Sequence, residues 1–325
     1  MRLQILLPLL CVLAGCQSTD MSDEERERIL SIHIETSGAY LSMGDYGRAV
    51  DQALRGLKVE PENFKLRLYL ARGLQKTGRT IDMARAEQVF RSMPRGEDYR
   101  VALGLAETIE RRGIAQSEAA TAVRAGRRFT EAPDPAVRAD ELETDARAAW
   151  SESIDLYHDA LALAPEDAEI LNGLVRAHTL LGENETAITW GDRVIEVTSS
   201  DRAWWTEALQ RTGMSPRDEA AGRRSLDRLD RLESSVRLNS YTLLAASKSL
   251  TAALGHLDRA AELDPKNTNL HSRRAELLID LGRHADALHA IDDYLSRTEA
   301  NFDSEDVRRA FRLRTACREA LATDT

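Results

Sequence analysis

One pattern recurs through most of this chain: a helix, a tight turn, a second helix and a stop. Its clearest copy is AYLSMGDYGRAVDQALRGLKVEPEN, residues 39–63. Small residues stand where two helices must touch (Ala39, Ala49, Ala53, Gly56), and Tyr40 and Leu57 supply bulk. Gly44 gives the left-handed or close-approach backbone that a short helix–helix turn needs. Pro61 follows the second helix, where it cannot propagate. With Gly44 as the turn position, units start at residues 30, 64, 99, 134, 168, 202, 234 and 268, in steps of 32 to 35. A plain helical bundle has no reason to keep one period through seven steps. Units four and seven carry Ala148 and Lys248 where the turn glycine belongs, which leaves 137–163 and 216–263 open to longer or differently broken helices.

This helix–turn–helix unit resembles the tetratricopeptide repeat (TPR), whose period is about 34 residues. The matches that carry the resemblance include Tyr40, Gly44, Ala49 and Pro61 in the first unit and Leu171, Leu174, Gly182 and Ala187 in the fifth. Trp205 stands in the sixth where the family has Trp, and Ala275, Gly282 and Ala287 mark the eighth. The resemblance implies an all-α, right-handed α-solenoid of TPR units over residues 23–325. Residues 303–322, with an Asp303/Ser304 cap and Val307, Phe311, Leu313 and Leu321 among many Arg, suit the terminal helix that closes such an array. No segment shows sustained strand alternation.

The N-terminus reads separately. Arg2 and the apolar run 3–13 form a signal-like segment too short to span a bilayer. It ends in Leu13-Ala14-Gly15-Cys16, which resembles the bacterial lipobox. That resemblance implies a signal peptide over 1–15, acylation of Cys16 and a tether over 16–22 ending at a Ser22–Glu25 capping box. Gln17 in place of Asp after the cysteine implies the outer membrane, facing the periplasm. Removal of Cys11 and acylation of Cys16 leave Cys317 as the one thiol, read as a small buried residue.

Composition excludes several function classes. The 325-residue chain carries a formal charge of −10, against nucleic acid as a main ligand. Only five of its 44 basic residues are Lys, and three of them (Lys58, Lys65, Lys76) fall in the first two units. There is no H-E-x-x-H, no phosphate-binding G-x-x-x-x-G-K-[ST], no G-x-S-x-G and no paired C-x-x-C, so no enzyme activity, cofactor or metal is expected. His271, His284 and His289 read as surface histidines, since 284 and 289 lie about 140° apart on a helix. The 226–232 run LDRLDRL reads as an extended helix with an Asp227–Arg231 pair, and Arg127-Arg128 and Arg223-Arg224 as helix decoration.

In the family, the first helix of each unit lines a concave face. Carried onto this sequence, that pattern selects Lys65, Tyr69, Arg72, Gln75 and Lys76 in unit two, Arg100 in unit three, Asn172 and Arg176 in unit five, Asn239 in unit seven and Arg273 in unit eight. Arg and Lys make charge-assisted bonds to carboxylates, and Asn both donates to and accepts from a peptide backbone. The expectation is a non-catalytic, lipid-anchored adaptor that binds a protein or peptide of the cell envelope. It is similar to TPR lipoproteins that assist pilus secretin assembly or tether peptidoglycan hydrolases. The alternative is a self-associating envelope protein, a homodimer.

Overall fold

The computed structural model describes residues 22–127, 134–211, 213–297 and 304–323; the signal segment, Cys16, most of the tether, Arg128 and Asp303 lie outside them. The described residues form thirteen α-helices and no strand. They fall into two compact units, Met1–Val89 and Phe90–Thr325.

The first unit holds α1 (Asp23–Ser42), α2 (Tyr46–Val59), α3 (Phe64–Thr77) and most of α4 (Thr80–Arg91). The starts of α1, α2 and α3 are written in short polar side chains that accept orphan backbone N–H groups. Ser22 Oγ takes Glu25 N at 3.2 Å, Asp45 takes Arg48 N at 3.1 Å, and Asn63 takes Leu66 N at 3.2 Å. Gly44 turns α1 into α2 at φ 77°. Ala49 and Ala53 are fully buried, and Gly56 lies so close to Leu66 that a Cβ there would stand 2.6 Å from Leu66 Cδ1. Ala49, Ala53 and Gly56 therefore do let these helices approach, whereas Ala39 is exposed and does not stand at a helix contact.

The second unit holds α5 (Tyr99–Arg124), α6 (Pro135–Leu163), α7 (Ala168–Leu181), α8 (Asn184–Gln210), α9 (Pro216–Ala246), α10 (Leu250–Leu263), α11 (Thr268–Asp280), α12 (His284–Arg297) and α13 (Glu305–Thr323). Four of the eight expected starts are first residues of helices: Phe64, Tyr99, Ala168 and Thr268. Asp134 is the N-cap of α6, with Pro135 behind it. Leu30 lies inside α1, Arg202 inside α8 and Ser234 inside α9.

The eight expected units are thus six helix pairs followed by α13. The reason is visible in helix length. α2, α3, α7, α10 and α12 each have 14 residues, whereas α5, α6, α8 and α9 have 26, 29, 27 and 31. The expected turns at Gly113 and Ala148 do not form; each lies within a continuous helix. These missing turns produce one helical arm, α5–α6 beyond about residue 113, and the absence of breaks before Arg202 and Ser234 produces a second, α8–α9 over 198–233, each reaching roughly 18 Å past an ordinary repeat. Each arm adds about one period of sequence, so the 34-residue register survives where the turns do not. The first arm has its own small core of Ala119, Ala120, Val123, Ala139 and Leu142. It extends an A–B turn and the second a B–A turn, so they leave opposite edges of this unit.

The seventh expected turn does form, without glycine. Lys248 has φ 63°, the one positive φ outside glycine among the described residues. Lys248 N donates to Ala245 O (3.0 Å) and Ser249 N to Leu244 O (2.8 Å), the arrangement that Gly282 and Arg283 repeat after α11. Because a left-handed lysine is strained and this side chain is exposed, Lys248→Gly is expected to stabilise the protein by about 1 kcal/mol. An unchanged or lower denaturation midpoint would contradict that.

The C-terminal core joins α9 to α13 through Leu257, Leu270, Leu278, Ile291, Tyr294 and Val307. Ser304 Oγ accepts from Val307 N at 3.3 Å, capping α13. Cys317 is a free thiol buried at 1% exposure, and burial pushes its pKa up. His271 corrects an expectation: it is 6% exposed rather than a surface histidine, and burial lowers its pKa. In the LDRLDRL run, the ion pairs go to other helices, Arg228 to Glu169 and Asp230 to Arg202.

Candidate protein-interaction surface

The residues selected from the repeat pattern all lie on the first helix of a pair: α3, α5, α7, α9 and α11. Their roles divide by unit.

In the first unit, Lys65, Tyr69, Arg72 and Lys76 follow an i, i+4, i+7, i+11 spacing on α3. Eleven residues at 100° each return to within about 20° of the start, so all four share one stripe. Lys65 and Lys76 are exposed at its two ends, with Tyr69 and Arg72 half-buried between them. Tyr69 leans on α1, where a Cβ at Gly38 would lie 3.4 Å from its hydroxyl. Gln75 differs from its neighbours: it is fully buried. The stripe carries two exposed lysines and one aromatic ring, suited to a carboxylate-bearing chain.

In the second unit the selected residues reach other parts of the protein. Arg176 on α7 donates to Glu110 on α5 through Nε (2.8 Å) and Nη2 (3.1 Å), and Nη2 also donates to Tyr157 Oη at 3.0 Å. Tyr157 Oη donates in turn to Glu110 Oε2 at 2.6 Å. The Glu110 side chain is only 5% exposed. Burial works against the Arg176 charge, but Tyr157 and Glu110 outweigh it and hold the guanidinium pKa above its ordinary value. Burial, with Glu110 beside it, pushes the Tyr157 phenol well up. Glu110 and Tyr157 are buried, and the partly exposed Arg176 completes a mutually satisfied triad with them.

Asn239 on α9 donates from Nδ2 to Thr179 Oγ1 on α7 at 3.0 Å. Arg273 on α11 lies over the Tyr241 ring of α9, 6.0 Å from its centroid, and donates to Asn269. Each of the three reaches back to the first helix of the preceding pair. Arg100 instead braces its own helix start, its guanidinium on Asp98, whose Oδ1 also accepts Arg100 N at 2.9 Å. Asn172 is half-buried on α7.

A second buried network stands at the foot of the second arm. Glu233 on α9 is completely buried and accepts from Arg202 of α8 (2.5 Å) and Arg237 (2.7 Å), while Arg202 also donates to Asp230 at 2.8 Å. Burial raises the Glu233 pKa, but the two guanidinium groups more than reverse it, so the carboxyl titrates below its usual range. Neither buried carboxylate is among the residues that the repeat pattern selects. The usable signal was position. Glu110 falls on the stripe Leu103, Ala106, Glu110, Gly113, and Glu233 on Leu226, Leu229, Glu233, Val236, where every neighbour is apolar or small.

Two stretches, residues 144–204 and 244–308, match family models described as tetratricopeptide repeat. No curated protein matches the sequence. Among solved structures, the chain is similar to a thermophilic TPR protein of Thermus thermophilus, with 17% identity over 78% of this chain and 99% of that one and a TM-score of 0.43. It is also similar to pilF of Pseudomonas aeruginosa (14% identity, 87% of this chain, 97% of that one, TM-score 0.48). A third similarity is to the TPR2AB domain of yeast Sti1 in complex with pHSP90 (14% identity, 90% and 99%, TM-score 0.30). The two matched stretches omit the tips of both arms, in keeping with arms that interrupt an otherwise regular array. The described residues are thus all-α, and residues 144–204 and 244–308 match tetratricopeptide-repeat models, repeats of a kind suited to protein interaction.

Proposed function

We propose that this protein is a non-catalytic adaptor, held to the periplasmic face of a bacterial outer membrane by acyl chains on Cys16, that binds an acidic segment of an envelope protein. The observation that carries the reading is the α3 stripe: Lys65 and Lys76 are exposed on one side of a first helix, with Tyr69 and Arg72 between them. Cations on a fixed helix face meet a carboxylate with little ordering cost, and their long-range field raises the encounter rate. Arg176, Asn239 and Arg273 support the same reading indirectly, since their contacts tie successive repeats and keep the scaffold rigid.

The anchor follows from Leu13-Ala14-Gly15-Cys16. Among the described residues no helix is long and apolar enough to cross a membrane. Confinement to a surface raises the local concentration of adaptor around its partners. The role in pilus, secretion or cell-wall assembly follows from which envelope protein is bound.

The test is photo-crosslinking in intact cells from position 65, in the wild type and in Cys16→Ser. A discrete envelope-protein adduct is expected, reduced when the protein is released from the membrane fraction by Cys16→Ser. Absence of any adduct from position 65 would overturn the binding reading. Unchanged membrane fractionation of Cys16→Ser would overturn the anchor.

A further inference from the structure

We propose that the cleft at the foot of the second arm is a second docking site, one that takes a single basic side chain, arginine or lysine, from a partner polypeptide. It lies in the second unit and has the opposite charge to the α3 stripe, so it goes beyond the function proposed above.

The cleft has a volume of ≈ 260 Å³. That is below the usual range for a cofactor pocket and sized for one side chain. Glu166, Glu169 and Asp201 stand on its rim, and Trp205, Leu229 and Leu232 form its apolar lining. A carboxylate rim over an apolar floor suits an amphipathic cation, whose methylene stem packs below while its head stays among the acids. Trp205 is held in place: it packs edge-to-face with Trp204 at 4.6 Å, and a Cβ at Gly222 would lie 3.1 Å from its ring. An indole lining a cleft next to carboxylates adds a cation–π partner.

The charges around the cleft differ in what they leave for a ligand. Asp167 is committed to the α7 N-cap, accepting Glu169 N (2.9 Å) and Ile170 N (3.1 Å), and so contributes little. Arg228 neutralises Glu169. Its guanidinium on that carboxylate does within the chain what a partner's cation would do from outside. Glu166 is 80% exposed and makes a long 3.9 Å ion pair with Arg193, a weak contact at that exposure, so Glu166 and Asp201 set the sign. The α7 N-terminus contributes about half a positive charge, less than the acids beside it. An anion is therefore repelled and a neutral group gains only the floor.

The lining is particular to this chain. Asp201 and Trp205 are present because α8 runs past its fourteenth residue, and Ser225, Arg228, Leu229 and Leu232 because α9 starts about five turns early. A repeat with ordinary turns has no wall on either side.

The test is a titration of the full chain, carrying ¹⁵N-labelled tryptophan, with the peptide acetyl-Leu-Arg-Leu-amide and with its citrulline analogue, which is isosteric and uncharged. Trp205→Phe assigns the reporting indole resonance. A saturable shift of that resonance is expected at millimolar arginine peptide, the range suited to so small a contact, and not with citrulline. The double variant Glu166→Gln/Asp201→Asn, two exposed positions outside any cap, is expected to weaken binding at least fivefold. No shift, an equal shift with citrulline, or an unchanged affinity in the double variant would overturn the proposal. Lys65→Glu/Lys76→Glu should leave this titration untouched, so its failure and the failure of the α3 stripe are separate results.

Discussion

Gly173→Ala is expected to destabilise the protein by about 2–4 kcal/mol, although alanine is ordinarily the better helix residue by roughly 1 kcal/mol. The sign is decided by space. A Cβ at position 173 of α7 would lie 2.2 Å from Cε1 and 2.4 Å from Cζ of Tyr157. Tyr157 has no exposed surface, and its hydroxyl is fixed by Glu110 and Arg176. The ring cannot move aside without breaking the triad, so overpacking and lost hydrogen bonds act together. In a Tyr157→Leu background the same substitution should cost much less, and the two changes should be strongly non-additive. Chemical denaturation reads both effects. A Gly173→Ala protein as stable as the wild type would show that α6 and α7 are not packed in this way.

Glu233→Ala is expected to cost about 3–5 kcal/mol, because it leaves the guanidinium groups of Arg202 and Arg237, 19% and 17% exposed, without their shared carboxylate. A pH dependence accompanies it. The Glu233 pKa is lower folded than unfolded, so the unfolded chain takes up this proton first as the solution is acidified. The stabilisation is therefore complete above the ordinary carboxyl value of 4.5 and is lost as pH falls through the depressed folded value. The stability gap between wild type and Glu233→Gln should accordingly narrow below about pH 4.5 and be flat above it. A gap that widens on acidification would contradict the assigned charge state. Amide hydrogen exchange should place the loss at the α8–α9 arm, since repeat arrays open locally.

The division of the polar residues shows what was legible in the sequence. The repeat period gave the helix pairs because Gly44, Gly182 and Gly282 take left-handed turns and Ala49, Ala187 and Ala287 are buried at zero exposure. It misled at Gly113, where glycine makes room for Trp150 within α5 instead of turning the chain; a Cβ there would lie 2.5 Å from the indole nitrogen. Glycine carries the same letter for a turn and for a close approach, and only the partner across the interface tells them apart. The absence of glycine misled less: helix α6 does run through Ala148, yet Lys248 accepts the strained turn. First-helix positions were legible as well, but not their use. Arg72 and Arg176 occupy the same kind of position, and nothing local to Arg176 announces Glu110, 66 residues earlier. The cleft beneath the second arm could not be read at all, because it depends on two helices overrunning their usual ends.

The most direct test of the account is binding of an acidic peptide by the α3 stripe. Fluorescence anisotropy with a labelled Glu-rich peptide should show affinity that falls with added salt in the wild type. Lys65→Glu/Lys76→Glu should lose at least tenfold in affinity, about 1.4 kcal/mol or more, with the denaturation midpoint unchanged, because both side chains are exposed. Arg176→Met should instead lose stability. Peptide binding that survives charge reversal at 65 and 76 but is abolished in a still-folded Arg176→Met protein would contradict the account, since it would place recognition on the residues assigned to holding the repeats together.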